Sequence, residues 1–250
     1  MPNYQLISPT DGDLCAAALL GWRLSVTEQP IDQQYYREVQ GGVARELFVA
    51  ARQRIFRDFV ARMRPTLADQ ILDVGVSDVI GDGANILEQS YSNPANITAC
   101  GLSSGLTFKA AFPPVHYTKI EPNVRLPFDD GSFDIATSNA VLEHVGSFEN
   151  QLSFVQELCR VAQRVFISVP NRFFPVEHHT AIPLAHYRDD TFKLACQFTN
   201  KIEWTDEKNL IFITRKRLWR LAAPVTRSAA VGYTGLRLGP FSSNLYLALH

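Results

Sequence analysis

Short apolar runs alternate along this chain with longer stretches in which apolar residues recur at helical spacing. A short apolar run bounded by turn residues fits a strand buried on both faces, whereas a 3.6-residue period marks an amphipathic helix. Phe48, Ile55, Phe56, Phe59, Val60 and Met63 keep the helical period and Pro65 ends it, so a helix is expected over about 45–64. Strands are expected at about 70–74, 96–102, 115–120, 133–137 and 165–169. Ser147 can cap a helix carrying Phe148, Leu152, Val155, Leu158 and Ala162. Near the end, Thr214 precedes a helix with Leu218, Trp219 and Leu221, and about 229–238 and 244–249 read as two strands joined by Gly239-Pro240. Strands alternating with helices imply a parallel sheet whose ligands bind at the carboxyl ends of the strands. Residues 1–44 read as an N-terminal extension or lid, with a short apolar helix, the pair Tyr35-Tyr36 and a Gly41-Gly42 break; residues 45–250 form the main domain.

Composition narrows the class. With 250 residues, 46% of them hydrophobic and 20% charged, the chain can bury a large core without staples. Cys15, Cys100, Cys159 and Cys196 are scattered without metal or redox spacing, which fits packing thiols in a reducing cytoplasm. A net charge of −1 favours neither nucleic acid nor an anionic membrane. Arg45, Arg52, Arg54, Arg57, Arg62 and Arg64 make one helix locally basic. Most fall on its solvated face, although Arg52 shares the apolar stripe; an acidic-substrate surface or a nucleic-acid contact are the other readings. The apolar stretch Leu14 to Leu24 contains Gly21 and Arg23 and is shorter than the roughly 20 residues a membrane span needs. Asp11 and Asp13 stand where a secretion signal carries positive charge, so no membrane span and a cytoplasmic location are expected.

Leu126 to Val145, LPFDDGSFDIATSNAVLEHV, is the most informative stretch. Asp129, Asp130, Gly131 and Ser132 form a turn, Phe133, Ile135 and Ala136 begin a buried strand, and Asn139 sits where that strand opens onto a ligand crevice. Upstream, Ile71-Leu72-Asp73-Val74-Gly75 ends a strand in an acid followed by a glycine. Together these motifs resemble the class I S-adenosylmethionine-dependent methyltransferases, in their small-molecule, ubiquinone-biosynthesis-like (type 11) branch, over about 65–170. The resemblance implies an α/β, Rossmann-like doubly wound, mostly parallel seven-stranded sheet with an antiparallel C-terminal strand. It implies S-adenosyl-L-methionine as cofactor, bound by Asp73 and Gly75, with Ser77 at the next glycine position of the D-x-G-x-G-x-G pattern. It places Ser103 where an acid usually meets the ribose, Glu121 and Asn123 beside the adenine amine, and Asn139 at the turn lining the methyl-transfer site.

Methyl transfer from a sulfonium is an in-line displacement that depends chiefly on positioning, so a general base is optional. His144, at the strand-to-helix turn, is a candidate base; a capping or core-edge histidine is the bland alternative. A second cluster, Pro170-Asn171-Arg172-Phe173-Phe174-Pro175-Val176-Glu177-His178-His179-Thr180, follows the fifth strand and points to the acceptor side. Glu177 and His179 are candidates for acceptor binding or proton transfer, or else anchor the loop. With no helical H-x-x-x-H spacing and no convincing fourth partner, Glu177, His178 and His179 are not read as metal ligands. Tyr35, Tyr36, Phe173, Phe174, His186 and Tyr187 could form an aromatic lid. The expected activity is methyl transfer to a small-molecule, glycan or lipid-like acceptor. The incomplete glycine loop keeps a second reading open, a non-catalytic methyltransferase-like partner or binding subunit. A nicotinamide enzyme is disfavoured because no G-x-G-x-x-G follows a strand.

Overall fold

A computed structural model describes residues 42–81 and 83–250. The expected N-terminal helix, Tyr35, Tyr36, Cys15 and most of the 1–44 extension or lid lie outside the described residues; its last three residues begin the first helix, Gly42–Met63. Strands β1 (Ile71–Val74), β2 (Ile97–Gly101), β3 (His116–Lys119), β4 (Phe133–Asn139), β5 (Ala162–Pro170), β6 (Ala229–Leu238) and β7 (Phe241–Leu249) form one sheet in the order β3-β2-β1-β4-β5-β7-β6. Helices α1 (Gly42–Met63), α2 (Ile86–Ser90), α3 (Leu106–Ala111), α4 (Phe148–Val161), α5 (Asp189–Phe198) and α6 (Arg215–Ala222) accompany it.

The apolar runs become strands because both faces of the sheet are covered. Leu72, Val74, Ala136, Val165 and Ile167 face α4 and α6 in one core, where Val155, Leu158, Leu218 and Leu221 are buried. Ile71, Ile97, Ile135 and Phe166 face the other, against Ile55, Phe59 and Met63 of α1 and Phe108 of α3. β1 lies parallel between β2 and β4, pairing Asp73 with Ala99 and with Thr137. β7 runs antiparallel between β5 and β6, with Ser168 opposite Tyr246, and the β6–β7 hairpin closes at Leu238 opposite Phe241 around Gly239-Pro240. The expected Ser147 cap forms, with the Asn150 N–H donating to Ser147 Oγ at 3.3 Å, and Thr214 caps α6 likewise, accepting the Arg217 N–H on Oγ1 at 3.2 Å.

Two differences from the sequence reading have physical causes. Ala162, expected on the helical face, is instead the first residue of β5, because its backbone pairs with Phe133 and turns helix directly into strand. The segment between β5 and α6 forms α5 and two short 3₁₀ turns, at Ala185–Tyr187 and Ile202–Thr205, around its own small core of Phe192, Cys196, Trp204 and Leu210. Phe192 and Cys196 keep a helical spacing, but the turns on either side hold the helix to 10 residues. No helix among the described residues is long and apolar enough to cross a membrane.

Candidate functional site

The carboxyl ends of β1, β4 and β5 open onto a cleft of about 1960 Å³ that also meets α1 and the β5–α6 insertion. On one side of it, Gly75 turns the chain out of β1 at φ +98°, and a Cβ there would lie 2.2 Å from Val141 Cγ2. The N–H groups of Gly75 and Val76 both donate to the Cys100 carbonyl, at 2.8 and 3.0 Å, which ties the turn to β2. Where the motif has a further glycine, Ser77 is held by a side chain. Its N–H donates to Asn85 Oδ1 at 3.0 Å, and the Asn85 amide donates back to its carbonyl at 2.9 Å. Asp78 Oδ1 accepts the Phe108 N–H at 2.7 Å, fixing the loop to α3. Asn85 therefore closes a turn that glycines close elsewhere; it adopts φ +51° itself, a conformation asparagine tolerates better than most residues.

Asp73 is buried beneath this loop beside Glu88, and Arg52 of α1 is half-buried and lines the cleft above them. Burial raises Asp73 to about 7, against the opposing effects of the neighbouring Glu88 carboxyl and the Arg52 charge. Burial and then the Asp73 charge hold Glu88 well above the usual carboxylate range. Folding thus takes up a proton that the unfolded chain releases above its ordinary value of 3.8. The stabilisation is fully present below that value and is lost as pH rises through about 7. Asp73→Asn keeps the shape without titrating. The melting temperature of the parent chain relative to this variant is expected to fall between about pH 4 and about pH 7, and a constant difference across that range would refute the raised Asp73.

Of the remaining cofactor candidates, Asn139, Glu121 and Asn123 line the same cleft. Asn139 lines it and accepts a hydrogen bond from Ser168 Oγ. Glu121 and Asn123 stand exposed on its rim, beyond the end of β3. Gly101 and Leu102 reach the cleft, whereas Ser103 turns toward Tyr117: its Oγ accepts the Gly105 N–H at 3.2 Å and its carbonyl accepts the Tyr117 hydroxyl at 3.0 Å.

The structure joins His144, Glu177 and His179 at the other end. Glu177 is buried and accepts from the His179 N–H, the Thr180 N–H and the Thr180 hydroxyl. Burial alone would raise its pKa, but these bonds and the His179 ring hold it well below the ordinary range, so it stays ionised. The His179 ring meets it through Nδ1 at 2.8 Å, and that nitrogen must be the donor. His144 Nδ1 meets the Asn209 carbonyl at 2.6 Å and must likewise donate. The two Nε2 atoms then face one another at 3.1 Å. Burial, and next the His179 charge, push His144 down to about 3, which keeps it neutral. Trp204 packs beside both rings, at centroid distances of 4.9 Å from His179 and 6.4 Å from His144. Glu143, 1% exposed, places Oε1 4.0 Å from His144 Nε2 and is pushed up to about 7 by burial, against the His179 charge.

Of the aromatic lid residues, Phe174 lines the cleft. Phe173 and Tyr187 pack on one another at 5.9 Å, and the buried His186 ring meets the Phe174 carbonyl at 2.8 Å. Sequence reasoning passed over Glu143, Asn85, Trp204 and the Asn209 carbonyl. Only Arg52, a charge on an apolar stripe, carried a readable signal.

Residues 72–164 match the family described as a methyltransferase domain. No curated protein matches the chain. The fold is similar to that of magnesium protoporphyrin IX methyltransferase from Synechocystis PCC 6803 with bound SAH, at a TM-score of 0.53 and 15% identity over 87% of this chain and 91% of that one. A SAM-dependent methyltransferase from Aquifex aeolicus aligns at a TM-score of 0.50 with 15% identity, over 82% and 91% of the two chains. The methyltransferase domain of bacterial CtHen1 aligns at 0.51 with 17% identity, over 80% and 98%. The mostly parallel seven-stranded sheet with β7 reversed is the Rossmann-like class I methyltransferase fold.

Proposed function

We propose that this chain, which carries a methyltransferase domain over residues 72–164, transfers a methyl group from S-adenosyl-L-methionine to a small-molecule, glycan or lipid-like acceptor. The observation that carries the reading is one cleft with two chemically distinct ends: the β1 and β4 loops at one, and the Glu177–His179–His144 chain at the other. Asp73, Gly75, Ser77 and Asn139 would meet the cofactor's methionine part, with Arg52 suited to its carboxylate. Glu121 and Asn123 would serve its ribose and adenine, whereas Ser103, turned toward Tyr117, does not reach the cleft. The cofactor supplies a methyl group on a positively charged sulfur, already activated for attack. The chain's own task is to hold the acceptor in line with it and to receive any proton the acceptor loses. His179 suits that role, because Glu177 orients its ring and balances its charge, as a carboxylate does for a histidine base in other enzymes.

A second reading, a non-catalytic relative, is favoured by Ser77 in the glycine loop and by Val141 packed into the space beside Gly75. Calorimetric titration with S-adenosylmethionine and S-adenosylhomocysteine separates the two. Micromolar binding supports the transferase, and absence of binding at millimolar ligand supports the partner subunit. Arg52→Ala is expected to weaken cofactor binding about tenfold, the value of one charge-assisted hydrogen bond. An unchanged affinity would remove Arg52 from the cofactor site.

A further inference from the structure

We propose that Glu143, His144 and His179 form a binding site for one divalent first-row transition-metal ion, of the class of zinc, manganese or ferrous iron, at the acceptor end of the cleft. The three side chains come from different places: Glu143 and His144 from the turn after β4, His179 from the β5–α6 insertion. One ligand atom of each lies within 4.8 Å of the others.

Four features fit an ion better than a purely structural cluster. First, the histidine spacing needs no adjustment. Nitrogens about 2.05 Å from an ion stand about 2.9 Å apart at a right angle and about 3.3 Å apart at the tetrahedral angle. The observed 3.1 Å falls between them. The perpendicular rings, with centroids 4.9 Å apart, are closer than a head-on pair joined by a straight N–H···N bond would stand, so their Nε2 lone pairs converge beside the line joining them. Second, each ring's far nitrogen is tied down as metal-ligating histidines require. His179 Nδ1 donates to the Glu177 carboxylate and His144 Nδ1 to the Asn209 carbonyl, which leaves both Nε2 atoms as acceptors. Two acceptors 3.1 Å apart need a cation between them, whether a proton or a metal.

Third, Glu143 is buried, and neither carboxylate oxygen has a hydrogen-bond partner among the described residues. A buried carboxylate without donors is costly unless something positive meets it, and a modest rotation brings Oε1 to an ion held by the histidines. Fourth, all three side chains line the cleft, so the remaining coordination positions open toward it, as in catalytic rather than structural sites. Two nitrogens and one carboxylate suit zinc, manganese or ferrous iron better than calcium or magnesium. That an acceptor oxygen would take the open position rests on the methyl-transfer reading; the ion site itself does not, and with an ion on its Nε2 His179 would act as a ligand in place of receiving the acceptor's proton.

The test uses full-length protein stripped with a chelator and titrated with cobalt(II), followed by its visible absorption, and with zinc by calorimetry. One ion per chain is expected, with weakening of about 100-fold in His144→Ala and in His179→Ala. Glu143→Gln and Glu177→Gln, which keep the side-chain shapes, should each weaken binding on the order of 10–100-fold. Thermal melting of each variant checks its fold, and cofactor titration of the same samples reports the methyl-transfer reading separately. Ion binding without cofactor binding would overturn that reading and leave the metal site standing. Parent protein that binds cobalt no better than a His144→Ala/His179→Ala double variant, or Glu143→Gln that binds as the parent does, would overturn the metal site.

Discussion

His179→Ala is expected to lower methyl-transfer turnover by roughly 10²- to 10⁴-fold, the range for removing a positioned acid–base group, while leaving cofactor affinity unchanged. The reason lies in the geometry of the acceptor end. His179 stands between the ionised Glu177, 2.8 Å from its Nδ1, and His144, 3.1 Å from its Nε2, so one substitution breaks both links. It leaves Glu177 with donors only from backbone N–H groups and the Thr180 hydroxyl. Turnover would be read as radiolabelled methyl transfer with an acceptor drawn from hydroxylated small molecules and glycans, with cofactor binding measured in parallel by calorimetry. Loss of cofactor affinity together with turnover would indicate damage to the fold. Unchanged turnover would take the histidine out of the chemistry.

The second large effect is on stability. Gly75→Ala is expected to destabilise the protein by about 2–5 kcal/mol, combining about 1–2 kcal/mol for a side chain at positive φ with about 1–3 kcal/mol of overpacking. The added methyl would sit 2.2 Å from Val141 Cγ2, inside any tolerable contact. Urea unfolding of the single variant and of Gly75→Ala/Val141→Ala resolves the two causes. Removing the valine methyls should restore the packing part and leave the backbone part, since positive φ at residue 75 is a property of that residue. A single variant as stable as the parent would show that the β1 turn tolerates a side chain.

The two results probe opposite ends of one cleft, and those ends were unequally readable. The β1 end follows from local sequence. Asp73 closes an apolar run and Gly75 follows it, so a strand ending in a buried acid and a tight turn is written in adjacent residues. Ser147, Thr214 and Gly239-Pro240 likewise mark two caps and a hairpin, because capping and turning are decided within a few residues. The strand pattern is legible for a global but simple reason: strands buried on both faces must be apolar throughout.

The acceptor end depends on contacts that no local pattern encodes. His144 and His179 are 35 residues apart, and Asn209 reaches His144 through a backbone carbonyl, which side-chain identity does not reveal. Asn85 closing the Ser77 loop, Arg52 turned into the cleft and Glu143 buried without a donor are also products of packing between distant segments. By itself, then, the sequence determined the succession of the strands and of α1, α4 and α6, the sheet's two apolar faces and the strand ends that carry a site, since periodicity and turn chemistry act over a few residues. Only the tertiary structure decided which polar groups meet in the cleft, because loops from separate strands have no shared period and are brought together by the core beneath them.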